Sequence, residues 1–263
     1  MMRQMRSGIR LAIAICILIA AQSAPAVRAE LPPIYDYTVV EKRAIDRNHF
    51  TQGLLIWNSQ LWVSSGLYGE SFLARYDWPE MTGHKRSSLP RRWFAEGVTE
   101  LDGQLYMLTW RSGKLLVIDP KSLAITRTMP LQGEGWGITS DGEQLWISNG
   151  TSQLVARKGT REIRRINVTL DGKRVSRLNE LEWVDGEIWA NLWLTDQIAR
   201  IDPTSGNIIG IIDLQGLLPN RDRRRNTDVL NGIAVDPETG GVWVSGKRWP
   251  YLFRIELVEK KSS

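Results

Sequence analysis

Cysteine and histidine are nearly missing from this chain. Of its 263 residues one is cysteine, Cys16, and two are histidine, His49 and His84. A single thiol makes no disulfide framework. Two histidines so separated argue against a histidine-rich zinc centre and against a Ser-His-Asp triad. Long hydrophobic runs are equally scarce. The one unbroken run, Leu11 to Ala21, has eleven residues, where a bilayer span needs about twenty. No later stretch keeps a sustained helical period. Glycine-rich phosphate cradles are absent too, because the repeat glycines are singly spaced turn or strand residues.

The short apolar run has the surroundings of a secretory leader. Arg3, Arg6 and Arg10 precede it, and Val27-Arg28-Ala29 offers small residues where a signal peptidase reads. The expectation is a signal peptide over 1–29 and a mature domain over 30–263 that is exported, to a periplasm or outside the cell. Cys16 leaves with the leader, and Ile15 before it is too bulky for the usual lipoprotein cleavage pattern. The mature chain then carries no thiol and no membrane attachment. Four of the 34 basic residues and none of the 29 acids lie in the leader, so the formal charge falls from +5 to +1 without it. Nucleic acid is therefore not an expected partner. The basic stretches Arg161 to Arg177 and Arg221 to Arg225 lack the interleaved aromatics that stack on single strands, and read as solvated surface.

What is present in quantity is repetition. Gln52-Gly53-Leu54, Glu96-Gly97-Val98, Trp136-Gly137-Ile138, Glu180-Leu181-Glu182 and Asn231-Gly232-Ile233 start 44, 40, 44 and 51 residues apart. That period, about 40–50, is the one expected of propeller blades with four strands each. After each triplet comes a turn, with Asp102-Gly103, Asp141-Gly142 and Asp185-Gly186 as pairs suited to two-residue hairpins. A second strand follows with an aromatic at a fixed offset: Trp62, Tyr106, Trp146, Trp189 and Trp243. The chain therefore reads as all-β, a five-bladed β-propeller. Its last repeat has material for only three strands, and Tyr37 to Ala44 is the free strand that completes it and removes a sheet edge. A six-bladed ring lacks a sixth repeat.

In such a ring the first strand of each blade lines the central channel, so equivalent residues gather around one axis. Gln52, Glu96, Trp136, Glu180 and Asn231 precede the repeat glycine or its equivalent, and four of them can hydrogen-bond. Four residues past the second-strand aromatic stand Gly66, Trp110, Gly150, Trp193 and Lys247. Trp62, Trp146, Trp189 and Trp243 keep the repeat and are candidates for packing between sheets. Trp110, Trp136 and Trp193 break it, and with a carboxylate, an ammonium and amides they read as a small pocket with an aromatic wall.

The same residues resemble a family. Phe50-Thr51-Gln52-Gly53-Leu54, Phe94-Ala95-Glu96-Gly97, Leu108-Thr109-Trp110, Gly135-Trp136-Gly137, Leu178-Asn179-Glu180-Leu181-Glu182, Ala190-Asn191-Leu192-Trp193, Leu230-Asn231-Gly232-Ile233 and Gly246-Lys247-Arg248-Trp249-Pro250 are similar, in this order, to signatures of the plant and bacterial glutaminyl cyclases. The resemblance runs from about His49 to Leu257. It implies a five-bladed propeller that works without a catalytic metal or other cofactor, as a monomer, on peptides or proteins with N-terminal glutamine. It further implies an aminoacyltransferase that forms pyroglutamate and releases ammonia. Glu96 would be the catalytic acid and base, with Lys247, Gln52, Phe94, Trp110, Trp136, Asn179 and Trp193 at the remaining active-site positions. Ala95 departs from the glycine expected between the phenylalanine and the glutamate, and its methyl group could tilt Glu96.

Two other classes stay open at the level of sequence. Oxygens from Glu96, Asn179, Glu180 and Asn231 could surround calcium in a lactonase-like hydrolase. A non-catalytic propeller could use its tryptophans to hold a sugar or a peptide.

Overall fold

The computed structural model describes residues 31–260; the expected leader lies outside the described residues. The described part is one compact, all-β unit with a single 3-10 turn, Asn220–Asp222. The first strand is β1 (Ile34–Ala44). β2 (Thr51–Trp57), β3 (Gln60–Ser65), β4 (Phe72–Asp77) and β5 (Thr82–Ser88) form an antiparallel sheet in chain order. So do β6 (Ala95–Leu101), β7 (Gln104–Thr109), β8 (Lys114–Ile118) and β9 (Ile125–Pro130). A third such sheet holds β10 (Ile138–Ser140), β11 (Leu145–Ser148), β12 (Gln153–Lys158) and β13 (Arg161–Asn167). A small hairpin, β14 (Thr169–Leu170) with β15 (Lys173–Arg174), precedes the last set. That set is an eight-stranded sheet. One half is β16 (Leu178–Val184), β17 (Glu187–Leu192), β18 (Gln197–Ile201) and β19 (Ile208–Asp213); the other contains β20 (Leu230–Val235), β21 (Val242–Gly246) and β22 (Tyr251–Glu259).

β1 joins the two halves. It pairs antiparallel with β22 from Tyr35–Glu259 to Ala44–Tyr251, and its first residues, Ile34 and Tyr35, run parallel to Ile211 and Ile212 of β19. The N-terminal segment thus completes the set begun by β20, as its strand-like sequence led us to expect.

Burial falls from the inner strand of each sheet outward. β2 is buried along almost its whole length and β5 is exposed almost throughout. This is why β2 can carry Leu54, Leu55 and Ile56 in succession while β5 reads Thr-Gly-His-Lys-Arg-Ser-Ser. The basic stretch from Arg161 begins on β13, likewise an exposed outer strand. Hydrophobic side chains fill the gaps between neighbouring sheets. Trp62 packs in the cluster that joins the first and second sheets, Trp146 in the cluster under β16–β19, Trp189 between the halves of the eight-stranded sheet, and Trp243 against the first sheet. Each indole of this kind removes roughly 150–250 Å² from water. The inner strands β2, β6, β10, β16 and β20 touch in cyclic order, β20 returning to β2.

The turns follow their residues with one correction. Asp102-Gly103 and Asp185-Gly186 have φ of 53° and 74°, and of 48° and 86°, and Asn58-Ser59 has 52° at both positions; these are the paired positive values of tight hairpins. Asp141-Gly142 does not match them. The Asp141 carboxylate accepts N–H bonds from Glu143 and Gln144, and Asp141 N–H donates to the Gln144 carbonyl. The aspartate's own hydrogen bonding therefore holds a wider loop there.

Around the axis, backbone meets backbone. A methyl group on Gly97 would lie 2.7 Å from Ile138 N and 2.9 Å from Gly137 Cα; one on Gly137 would lie 2.0 Å from the Asn179 carbonyl oxygen. In the fourth inner strand Leu181 replaces the glycine, and acids take over the contact. Glu180 accepts the Ile233 N–H of the neighbouring β20 at 3.0 Å and the Leu54 N–H of β2, across the axis, at 3.4 Å. Glu182 accepts the Val235 N–H at 2.9 Å, and Asn231 donates to the carbonyls of Thr51 and Gln52 at 3.0 and 3.3 Å.

Gly137→Ala should therefore destabilise the protein by about 3 kcal/mol or more, the upper range of core overpacking. Gly103→Ala, with open space around the added carbon but φ of +74°, should cost about 1 kcal/mol; urea unfolding of the two variants measures the difference. The buried acids give a pH dependence. Burial raises the Glu182 pKa from 4.5 to about 8, so the folded state keeps its proton longer than the unfolded chain does. The associated stability is present in full below about pH 4.5 and is lost as pH rises towards 8. Thermal melts should show Tm falling across that window, and Glu182→Gln should flatten the fall.

Candidate active site

A cavity of about 400 Å³ opens at one end of the inner strands. Phe50, Gln52, Leu67, Phe94, Glu96, Trp110, Trp136, Asn179, Trp193, Leu194, Asp228 and Lys247 line it. All eight residues singled out from the sequence are in this set, drawn from four sheets that are far apart in the chain. Of the five residues that precede the repeat glycines or Leu181, only Gln52, Glu96 and Trp136 reach the cavity. Glu180 and Asn231 lie deeper, engaged with the neighbouring strands, and Asn179 faces the cavity in place of Glu180.

The ladders of β2, β6, β16 and β20 with their second strands each shift register within the repeat triplet, between Thr51 and Gly53, Ala95 and Val98, Leu178 and Leu181, and Leu230 and Ile233. A bulge inserts a residue and re-aims its side chain. Seryl groups then lock the re-aimed segments from the adjacent sheet: Ser64 Oγ donates to the Glu96 carbonyl at 2.5 Å, and Ser148 Oγ donates to the Asn179 carbonyl at 2.6 Å. One position past the ring of Gly66, Trp110, Gly150, Trp193 and Lys247, the backbone is left-handed at Leu67, Leu194 and Arg248, with φ of 96°, 67° and 60°. Non-glycine residues hold such angles at a cost of about 1–3 kcal/mol each, a form of strain that clusters at functional sites.

The walls are aromatic and interlocked. Phe94 meets Trp110 edge-on at 5.4 Å, and Trp136 meets Trp193 at 5.3 Å with planes at 90°. Two ring glycines make room for them. A methyl on Gly66 would sit 2.3 Å from the Phe94 ring, and one on Gly150 would sit 2.7 Å from the Trp136 ring. Ala95, the departure noted above, is fully buried in the cluster with Leu55, Trp62, Trp93 and Leu105, so its methyl is part of the core.

The charged groups differ in how they are held. Glu96 is 5% exposed, and among the described residues its carboxyl accepts no hydrogen bond from the protein. Burial pushes its pKa well above the ordinary carboxylate range; Lys247 opposes that shift, and Glu134 adds to it. Burial lowers the Lys247 pKa, while Glu96 and Asp228 act to keep the ammonium charged. The Lys247 Nζ also lies 5.1 Å from the centre of the Phe50 ring. Gln52 Oε1 accepts from the Asn231 amide at 3.5 Å.

Sequence reasoning passed over Asp228, Glu134 and the apolar rim of Phe50, Leu67 and Leu194. Asp228 and Glu134 sit in loops outside the repeat positions, so periodicity gives no signal for either. The calcium set considered above is split: Glu96 and Asn179 line the cavity, whereas the Glu180 oxygens accept the Leu54 and Ile233 backbone N–H groups, and no cluster of three or more His, Cys, Asp or Glu suited to a metal occurs among the described residues.

Comparison with known proteins meets this geometry. A family model described as glutamine cyclotransferase matches residues 11–257. The glutaminyl-peptide cyclotransferase of Arabidopsis thaliana is 36% identical over 235 residues, covering 85% of this chain and 72% of that protein. The crystal structure of Myxococcus xanthus glutaminyl cyclase superposes with a TM-score of 0.78 at 30% identity, covering 88% of this chain and all of that one. A streptogramin B lyase structure, at 12% identity and a TM-score of 0.51, shares the fold alone.

Proposed function

This chain belongs to the glutamine cyclotransferase family and is an enzyme that cyclises N-terminal glutamine to pyroglutamate, and we propose that Glu96 is the group that moves the protons. The observation that carries the assignment is a buried carboxyl with no hydrogen-bond partner among the described residues, set in an aromatic cavity of about 400 Å³ that a buried lysine also lines.

The reaction closes a ring within one residue. The α-nitrogen attacks the side-chain carbonyl carbon, the new N–C bond forms, and the bond between that carbon and the amide nitrogen breaks with release of ammonia. The substrate supplies the proximity, so the protein must hold the folded rotamer and move protons. An α-ammonium has a pKa of about 7.7–8.0, so part of it is already neutral near pH 7. After attack, the α-nitrogen gives a proton to the Glu96 carboxylate. The carboxylic acid then hands it to the departing amide nitrogen, which leaves as NH3. A carboxyl whose pKa is raised towards the working pH serves both steps better than an ordinary one, and such transfer is worth about 10²–10⁴-fold.

The Lys247 ammonium faces the negative charge that develops on the γ-oxygen, and the Gln52 and Asn179 amides add donors to it. Glu96 and Asp228 both oppose the burial that lowers the Lys247 pKa. Phe94, Trp110, Trp136 and Trp193 hold the glutaminyl chain and shut out water that would otherwise hydrolyse the amide. Peptides and proteins that begin with glutamine are the substrates.

The same reading extends to the chain as a whole. Its four-strand sets and cyclic inner strands support five propeller blades, with β1 closing the last. The basic, apolar and small-residue order of 1–29 supports an exported enzyme, and the solvated basic stretches, without interleaved aromatics, support one that does not bind nucleic acid.

With a glutaminyl dipeptide as substrate and ammonia as the readout, Glu96→Gln should lower kcat by at least about 10²-fold while the dipeptide still binds. Activity near that of the wild type would remove Glu96 from this role. Lys247→Ala should lower kcat by about 10²–10³-fold, as loss of an oxyanion donor does, with KM changed far less.

A further inference from the structure

Glu134 stands outside the repeat and outside the cavity lining, in the loop between β9 and β10. Its Oε2 accepts the Trp110 indole N–H at 2.8 Å and the Trp136 indole N–H at 2.9 Å. Its Oε1 accepts Arg111 Nε at 2.9 Å, and the Arg111 guanidinium lies 3.9 Å over the Trp110 ring. One carboxylate therefore takes three donors, two of them from opposite parts of the pocket wall.

The position of those two indoles gives the contact its weight. Trp110 follows β7 of the second sheet, and Trp136 precedes β10 of the third. The wall consists of two aromatic pairs, Phe94 with Trp110 and Trp136 with Trp193. No ring contact joins one pair to the other among the described residues, and the Glu134 carboxylate joins them instead. A backbone bond, Gly135 N–H to the Trp110 carbonyl at 3.0 Å, runs beside it, but that bond fixes the main chain and leaves both indoles free to turn about their side-chain torsions. With their N–H groups engaged by Glu134, Trp110 and Trp136 offer ring surface and not donors to whatever fills the cavity.

We propose that Glu134, held by Arg111, is a positioning residue that sets the spacing and rotation of Trp110 and Trp136, and so fixes the width of the pocket for the glutaminyl side chain. It touches neither the reacting atoms nor the substrate. The charge-assisted geometry suits the task, since bonds to an ionised acceptor are shorter and about twice as strong as neutral ones.

This inference rests on the cyclotransferase reading, and the test separates the two. KM and kcat for a glutaminyl dipeptide are measured for the wild type, Glu134→Gln, Glu134→Ala and Arg111→Ala, together with near-ultraviolet circular dichroism, which reports tryptophan packing without any turnover. Glu134→Ala should raise KM about tenfold with kcat changed much less, the pattern of lost binding common to ground and transition states. Its tryptophan bands should weaken. Glu134→Gln keeps one acceptor oxygen and should fall between the wild type and Glu134→Ala; Arg111→Ala should show a smaller rise in KM. Should Glu134→Ala fail to fold, Glu134→Gln carries the comparison. Kinetics and dichroism of the variants that match the wild type within twofold would overturn the proposal, as would a fall in kcat with KM unchanged. A wild-type protein that releases no ammonia would count against the cyclotransferase reading, while the dichroism would still decide whether Glu134 holds the indoles.

Discussion

At Gly97 the backbone of one inner strand comes so close to the next that a single methyl group would lie 2.7 Å from a neighbouring amide nitrogen. The same contact recurs at Gly53 against Val98 and at Gly137 against Asn179. Everything at the axis depends on it. Strands this close leave no space for side chains between them at the glycine, so the residue just before each glycine is driven towards the end of the channel. That is how Gln52, Glu96 and Trp136, 44 and 40 residues apart, come to share one cavity. Where Leu181 interrupts the pattern, Glu180 reaches across to β2 and β20 and fills the axis below the cavity.

Three buried acids near the axis meet the cost of burial in different ways. An ionised carboxylate away from water is unfavourable unless donors surround it. Glu180 has two backbone N–H groups, and Glu182 has one from Val235. Glu96 has none among the described residues, and it is the one that lines the open cavity with Lys247. A carboxyl already satisfied by the backbone has little reason to exchange a proton with a ligand. The unsatisfied one does, because a bound amine or amide offers the partner that the fold withholds. That contrast is what supports the proposed role of Glu96.

The architecture was legible because its determinants are local and repeat. Singly spaced glycines mark the close contacts, one aromatic per second strand marks the intersheet packing, and β1 shows alternation with no partner of its own. The register within each triplet was not legible. Residue offsets suggested that Glu180 and Asn231 should face the same space as Glu96, but Glu180 binds the Ile233 and Leu54 amides and Asn231 the Thr51 and Gln52 carbonyls, while Asn179 lines the cavity. Such pairing depends on the partner strand, which a single repeat does not reveal. Glu134 and Asp228 escaped for a different reason: both belong to loops, whose residues answer to the particular site and not to the period. Asp141-Gly142 looked like its counterparts in other repeats, yet the aspartate satisfied the loop amides itself and opened the turn.

The pocket's asymmetry follows from how a regular ring was filled. The position four residues past each second-strand aromatic is occupied by Gly66, Trp110, Gly150, Trp193 and Lys247. With five large groups there, the mouth would be plugged; with five small ones, it would be a featureless channel. The two glycines instead receive the Phe94 and Trp136 rings, and each ring in turn meets a tryptophan from the same circle. One side of the cavity becomes a wall of aromatic faces, and the charged group is left at Lys247, beside the strand pair that β1 completes. An acid, a lysine and an apolar wall can act on a substrate with distinct ends only if they occupy different sides of it. Substituting two of five equivalent residues by glycine is a small change in sequence, and it turns a nearly symmetric scaffold into a site with direction.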